Sequence, residues 1–220
     1  MLRLTAGLAL SLAVLAGTAC EEPLPADPPI STPSTSTTTA PSPLPPTSGE
    51  RWVFGASISW MAAGYSQGDG RIWDLNPARG LEDILPKVEY VLSTRPTTVW
   101  FADIGTNSAG TWDGRDGWSV DDEWYWWQTL IQVQPGTCAI LVLPSLTADA
   151  EIANPGVLVE IEEARQWMIR VADMRNLGLA DWATWGAGQI GPDGIHINGG
   201  PEPAGAWIAM LNDAESRCQR

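Results

Sequence analysis

From residue 50 to the end of the chain, two patterns of apolar positions alternate. Short apolar runs, which are typical of buried strands, occur at residues 51–57, 97–107, 138–144 and 177–182. Between them, apolar residues recur every three to four positions, which is the period of an amphipathic helix. Because strand and helix alternate, the pattern predicts a three-layer α/β/α domain with a mainly parallel sheet of about five strands.

The helical segments are defined by the residues expected to face the core. These are Leu81, Ile84, Leu85, Val88, Val91 and Leu92 in the first helix, Trp124, Trp127 and Ile131 in the second, Val157, Ile161, Ala164, Met168 and Val171 in the third, and Ala204, Trp207, Ile208 and Leu211 in the last. Pro86 interrupts the first segment, so a kink or a later start is expected there. The Gly-, Asp- and Asn-rich stretch that ends at Gly80 predicts a loop.

Three polar turns stand at predicted strand ends or just before helix starts. They are Gly55–Ser57, residues 104–107 and Asp193–His196. In an open parallel sheet, ligands bind at the carboxyl ends of the strands. We therefore expect the three turns to meet at one edge of the sheet.

These turns contain the groups that acyl transfer requires. Ser57 offers a nucleophilic hydroxyl, His196 a base, and Asp193 a carboxylate that can fix the imidazole tautomer. The Asn107 amide and nearby backbone N–H groups can donate to an oxyanion. Two alternatives stay open: His196, the only histidine, is a structural imidazole, or Ser59 is the reactive hydroxyl, because a strand would point both serines the same way.

The three blocks resemble those of the SGNH, or GDSL-type, hydrolase family. The family's Gly-Asp-Ser block is matched by residues 55–57, its Gly-x-Asn block by residues 105–107, and its Asp-x-x-His block by residues 193–196. The resemblance implies a flavodoxin-like SGNH fold and catalytic roles for Ser57, Asp193 and His196. One departure is Ala56, which stands where the family has aspartate and implies a change in how the turn or the pocket is tuned.

The resemblance also implies an oxyanion hole formed by Asn107 and a glycine. Gly80, just before a predicted helix, is chosen for this role over Gly64, Gly68 and Gly70. No cofactor is expected for this chemistry.

The ADW stretch at residues 180–182, ahead of DGIHIN, is similar to small bacterial members of the family. Those members include the extracytoplasmic catalytic domains of peptidoglycan O-acetyltransferases. The similarity implies a secreted serine esterase acting on acyl esters, short-chain or acetyl, of cell-envelope carbohydrate. The alternatives are an O-acyltransferase acting on a cell-envelope glycan, and a non-catalytic glycan-binding module.

Tryptophan is unusually frequent, with 13 tryptophans against two phenylalanines and three tyrosines. Trp52, Trp100 and Trp207 fall on core-facing patterns and predict packing. Trp112 and Trp118 lie in a polar loop after Asn107, where exposed indoles would stack on the sugar rings of a substrate. The alternative is that they anchor the loop.

The first fifth of the chain predicts export. Residues 1–19 combine an arginine, an apolar run and small residues, which is typical of a signal peptide. Cys20 follows where bacterial lipoproteins are cleaved and lipidated, with simple secretion as the alternative. Residues 20–49 are rich in proline, serine and threonine and predict a disordered linker, which leaves residues 50–220 as the folded domain. We expect an extracytoplasmic protein held at the membrane only by its lipid.

Composition narrows the partners and the cross-links. A net charge of −14 with Lys87 as the single lysine argues against nucleic acid, because phosphate binding needs basic side chains. One histidine and two oxidisable cysteines cannot make an ordinary transition-metal site, so no metal is expected. Cys138 begins a strand and Cys218 ends a helix antiparallel to it, which predicts a disulfide at the sheet edge opposite the three turns.

Overall fold

Five parallel strands form a single sheet in the computed structural model, which describes residues 49–66, 69–77, 79–110 and 117–218. The strands are β1 Glu50–Gly55, β2 Ile72–Leu75, β3 Thr97–Asp103, β4 Cys138–Leu143 and β5 Gly178–Asp181. They lie in the order β2-β1-β3-β4-β5, and every neighbouring pair is parallel. The predicted parallel α/β architecture is confirmed.

Helices cover both faces of this sheet. Within the described residues they are α1 Ser57–Ala63, α2 Leu81–Thr94, α3 Gly105–Ala109, α4 Val120–Leu130, α5 Ala148–Ala153, α6 Val157–Arg175, α7 Trp182–Trp185 and α8 Pro201–Cys218. Successive side chains of a strand point to opposite faces. Phe54 and Trp100 accordingly pack in the core under α2, α4 and α6, whereas Val53 and Phe101 pack in the second core under α1 and α8.

Three local predictions are corrected. Strand β2 falls inside the stretch predicted to be a loop, because it is only four residues long and lies half-exposed at the sheet edge. Helix α2 begins at Leu81 and runs through Pro86, so the later start is wrong. Helix α4 buries Trp126 and Leu130 instead of the predicted face.

The exposed residues of α4 explain that last error. Trp124 and Ile131 are 56% and 55% exposed, and Trp127 is half-buried. The run of three tryptophans and one tyrosine at residues 124–127 places aromatic side chains on every side of the helix, so spacing alone does not identify the buried face. The other predicted helical faces are buried, apart from Ile208, which is half-buried.

The cysteine pair lies away from the carboxyl ends of the strands. Cys138 is the first residue of β4, Cys218 is the last of α8, and the two are joined by a disulfide with a Cα–Cα distance of 5.8 Å. The predicted pairing is therefore present. Across the described part of the chain, helices of the length and apolarity needed to cross a membrane are absent.

Candidate active site

Ser57 is the first residue of α1, directly after the carboxyl end of β1. Gly55 makes this sharp turn feasible: a Cβ there would lie 2.5 Å from the Ser59 Cβ and 2.7 Å from its Oγ. The first N–H groups of a helix have no partner within the helix. Ser57 therefore presents its hydroxyl and its own N–H at the edge of the sheet where the strands end.

His196 and Asp193 lie in a tightly bonded loop that follows β5 and α7. The Gly191 N–H donates to the His196 carbonyl at 2.7 Å, and the Gly194 N–H donates to the Gly191 carbonyl at 3.0 Å. Gly194 has φ +72°, a left-handed conformation that glycine adopts without strain. A Cβ at Gly194 would also collide with the backbone of Ala150 in α5.

The three side chains predicted to carry the chemistry meet in one line of hydrogen bonds. His196 Nε2 lies 2.8 Å from Ser57 Oγ, and His196 Nδ1 lies 2.7 Å from Asp193 Oδ2. The second carboxylate oxygen, Asp193 Oδ1, accepts from the Ile195 and His196 N–H groups at 3.0 Å each. The carboxylate is therefore fixed by the same turn that holds the histidine.

The electrostatics of Asp193 set the direction of these bonds. Partial burial raises its pKa, but the hydrogen bonds from Ile195 and His196 and the nearby imidazole outweigh burial and hold the pKa below its usual range. An ionised carboxylate only accepts hydrogen bonds. Nδ1 is then the donor to Asp193, and Nε2, when it carries no proton, can accept the Ser57 proton.

Asn107 lies close to the loop that carries Gly80. It is the third residue of α3, and its Nδ2 group donates to the carbonyls of Pro77 and Arg79, at 3.2 and 2.8 Å. Gly80 is the N-cap of α2, and the Leu81 N–H that follows it donates to Ser108 Oγ at 3.1 Å. The structure thus brings the two residues predicted for the oxyanion hole to adjoining turns.

Those turns are tied to the turn between β1 and α1, which precedes Ser57. The Asn76 N–H donates to the Gly55 carbonyl at 3.2 Å, and the Ala56 N–H donates to the Asp103 carbonyl at 3.2 Å. The turns after β1, β2 and β3 therefore form one continuous rim. For Asn107 Nδ2 to donate to an oxyanion, that oxygen would have to replace one of the two carbonyls it now contacts.

The competing hydroxyl, Ser59, is fully buried and donates to Asp103 Oδ2 at 2.7 Å. Ser57 and Ser59 do not point the same way, because they lie on a helix and not on a strand. Residues two positions apart on a helix are separated by about 200° around its axis. The sequence did not predict a functional role for Asp103. The available signal was an acidic residue at the end of an otherwise apolar run, where an unpartnered carboxylate would be costly.

The two tryptophans predicted to stack on sugar have different outcomes. Trp112 lies outside the described residues. Trp118 is 9% exposed and packs against Trp167, with ring centroids 5.8 Å apart, so the exposed indole that stacking requires is not present there. Trp60, one helical turn after Ser57, is instead 55% exposed. Trp52, Trp100 and Trp207 are in the core as predicted.

Known proteins match this chain in structure but not in sequence. No family model matches the chain, and no curated protein matches it. The catalytic domain of peptidoglycan O-acetyltransferase A from Streptococcus pneumoniae is 16% identical, with a TM-score of 0.62 over 77% of this chain and 94% of that one. A GDSL-like lipase from Bacteroides thetaiotaomicron is 14% identical, with a TM-score of 0.64 over 76% and 88%. The chain has the SGNH hydrolase fold.

An acetylxylan esterase from Geobacillus stearothermophilus is also similar, at 14% identity and a TM-score of 0.55 over 76% of this chain and 94% of that one. The proteins with a fold similar to that of this chain thus include an acetylxylan esterase, a lipase/acylhydrolase and an O-acetyltransferase. The resemblance read from the three sequence blocks is confirmed at the level of the SGNH fold. In this fold the blocks lie at the carboxyl ends of the strands, as the sequence predicted.

Proposed function

We propose that this protein is an extracytoplasmic serine esterase that hydrolyses short-chain acyl esters, acetyl esters in particular, of cell-envelope carbohydrate. The observation that carries the proposal is the line of hydrogen bonds from Ser57 through His196 to Asp193, at 2.8 and 2.7 Å. Both distances are within the range needed for direct proton transfer. The line also ends at a carboxylate that can stabilise the imidazolium.

In the proposed reaction, Ser57 Oγ attacks the acyl carbon while its proton passes to His196 Nε2. The tetrahedral intermediate collapses when the ester C–O bond breaks, and the leaving alkoxide takes the proton from Nε2. Water then attacks the acyl-enzyme, giving its proton to Nε2, and the acid is released as the proton returns to Ser57 Oγ. Asp193 holds the ring throughout and accepts from Nδ1.

The proposed oxyanion hole consists of the Ser57 N–H, the Gly80 N–H and the Asn107 amide. The Ser57 N–H is at the N-terminus of α1, where helix N–H groups are free to bind negative charge. Asn107 and Gly80 adjoin each other through the contacts at Arg79 and Leu81. An oxyanion would be stabilised by these donors more strongly than the planar ester, which is what accelerates the step.

Acyl transfer to a sugar hydroxyl is the second candidate. It is favoured by the structural similarity to the catalytic domain of peptidoglycan O-acetyltransferase A. The first half-reaction would be the same, with the sugar oxygen attacking the acyl-enzyme in place of water. The two are separated by incubating the protein with p-nitrophenyl acetate and a peptidoglycan-derived saccharide, then measuring acetate against acetylated saccharide.

Esterase activity is tested by Ser57→Ala, with Ser216→Ala as a matched control. Ser216 is an exposed serine of α8 whose hydroxyl contacts only the Asp213 carbonyl among the described groups. We expect Ser57→Ala to lower p-nitrophenyl acetate turnover by about a thousandfold or more and the control to match wild type. Near-normal turnover by Ser57→Ala would reject the proposal. Glycan binding that survives this substitution, without turnover by wild type, would favour the binding module.

The proposed location depends on Cys20, which lies outside the described residues. Export with residues 1–19 as a signal peptide and lipid on Cys20 would hold the domain outside the cytoplasm. Metabolic labelling with a fatty acid should mark wild type and not Cys20→Ser. Equal labelling of both would remove the lipid anchor from the proposal and leave the esterase chemistry untouched.

A further inference from the structure

Helix α1 begins without a side-chain cap of its own. Ala56 occupies the N-cap position and makes no side-chain hydrogen bond to the helix. Aspartate, which the Gly-Asp-Ser block has at this position, is among the preferred N-cap residues because its carboxylate accepts from the second or third N–H. The turn that carries Ser57 therefore depends on an acceptor from elsewhere.

Asp103 provides this acceptor from β3. Its Oδ2 atom accepts from the Ser59 N–H at 3.2 Å and from the Ser59 hydroxyl at 2.7 Å. Its backbone carbonyl accepts from the Ala56 N–H at 3.2 Å. One residue of a neighbouring strand thus holds the positions on both sides of Ser57.

The packing around this contact leaves little freedom. Asp103 is 3% exposed and Ser59 is fully buried. Gly55 pairs with Asp103 in the sheet, and its lack of a Cβ gives Ser59 the room to approach. Hydrogen bonds to a carboxylate in such a setting are stronger than neutral ones.

We propose that Asp103 is a positioning residue for the nucleophile: acting through Ser59, it caps α1 from β3 and fixes Ser57 Oγ against His196. This inference rests on the proposed function of Ser57. The cap that Asp103 forms on α1 also leaves the Ser57 N–H free to act as an oxyanion donor. It uses the N–H groups of Ala56 and Ser59, while the Trp60 N–H donates to the Ala56 carbonyl at 3.0 Å, so the Ser57 N–H is not consumed.

The test compares Asp103→Ala, Asp103→Asn and Ser59→Ala with wild type, all in the full chain. Thr129→Val is the matched control. It removes a buried hydroxyl that donates to the Tyr125 carbonyl within α4, and both residues are far along the chain from Ser57 and Asp103. Three quantities are measured: the rate of Ser57 phosphonylation by a fluorophosphonate, kcat and KM for p-nitrophenyl acetate, and amide hydrogen exchange in α1.

We expect Asp103→Ala to lower kcat and the phosphonylation rate by about tenfold or more, with KM within about threefold of wild type. Amide exchange at Ser59 should become faster in the same variant. Asp103→Asn keeps an acceptor oxygen and should stay within about threefold of wild type in rate. The rates of Ser59→Ala should fall between those of the two Asp103 variants. Ser59→Ala replaces Asp103→Ala in the test if Asp103→Ala does not fold.

The proposal is overturned if folded Asp103→Ala, or Ser59→Ala in its place, reacts at the wild-type rate. It is also overturned if Asp103→Asn is as slow as Asp103→Ala, because an acceptor would then not be what matters. Failure of the proposed function looks different: wild type itself would not be phosphonylated. In that case hydrogen exchange still decides whether Asp103 caps α1. Unchanged protection of the Ser59 N–H in Asp103→Ala would show that it does not.

Discussion

The buried carboxylate of Asp103 should make this protein less stable at neutral pH than it would be with a neutral residue there. Burial raises the pKa of Asp103 from 3.8 to about 6, although the hydrogen bonds from Ser59 act in the opposite direction. The Asp103 side chain is buried in the folded protein, whereas in the unfolded chain it is exposed to water and has its ordinary pKa of 3.8. The perturbation that exposes this effect is Asp103→Asn, which removes the titration and keeps the shape.

The sign follows from linkage between protonation and folding. A pKa that is higher in the folded state means that folding favours the protonated acid. The stabilisation from Asp103 is therefore complete below pH 3.8 and is lost as the pH rises through about 6. At 1.36 kcal/mol per pKa unit, the loss amounts to about 3 kcal/mol, of which about 2 kcal/mol falls between pH 4 and pH 7.5.

The assay is urea unfolding of wild type and Asp103→Asn at both pH values. Other titrating groups are shared, so the difference in unfolding free energy isolates Asp103. We expect this difference to shift by about 2 kcal/mol in favour of Asp103→Asn from pH 4 to pH 7.5. Ser59→Ala is the matched comparison: it removes the hydroxyl hydrogen bond that lowers the pKa of Asp103 and keeps the backbone one, so the unfolding free energy should fall more steeply with pH than in wild type. A difference in unfolding free energy that does not change with pH would contradict a raised pKa of Asp103 in the folded protein.

Three further variants test other parts of the structure. Gly194→Ala forces a side chain into a left-handed position against α5 and should cost about 1–3 kcal/mol of stability and slow phosphonylation; wild-type values in both would contradict the account of the turn. Replacing Cys138 and Cys218 together by serine opens a cross-link spanning 80 residues and should lower the unfolding free energy by about 2–5 kcal/mol, with activity kept while the domain is folded. Trp60→Ala should raise KM for an acetylated glycan and leave KM for p-nitrophenyl acetate unchanged; equal effects on both would exclude a contact with sugar.

The parts of the fold that the sequence predicts are those with a single strong pattern. Strands β3 and β4 are buried on both faces, so they read as continuous apolar runs. Helix α6 has one regular apolar face. The edge strand β2 has neither signal, because only a short segment pairs on one side and its residues are half-exposed.

The candidate site likewise has contacts that the sequence predicts and contacts that it does not. Asp193 and His196 are three residues apart, so a local block is enough to predict that they meet. The contact between Asp103 and Ser59 joins residues 44 positions apart and depends on the pairing of β1 with β3, which no local pattern encodes. The burial of Trp118 likewise depends on a contact distant in sequence, with Trp167 of α6.

If Ser57 is an activated nucleophile, it should react with a fluorophosphonate, and intact-mass analysis detects the covalent adduct. Wild type, Ser57→Ala and His196→Ala are treated side by side, with folding of each confirmed by circular dichroism. We expect one adduct on wild type, none on Ser57→Ala, and labelling of His196→Ala that is slower by orders of magnitude. Folded wild-type protein that acquires no adduct, or Ser57→Ala that acquires the same adduct as wild type, would contradict this expectation.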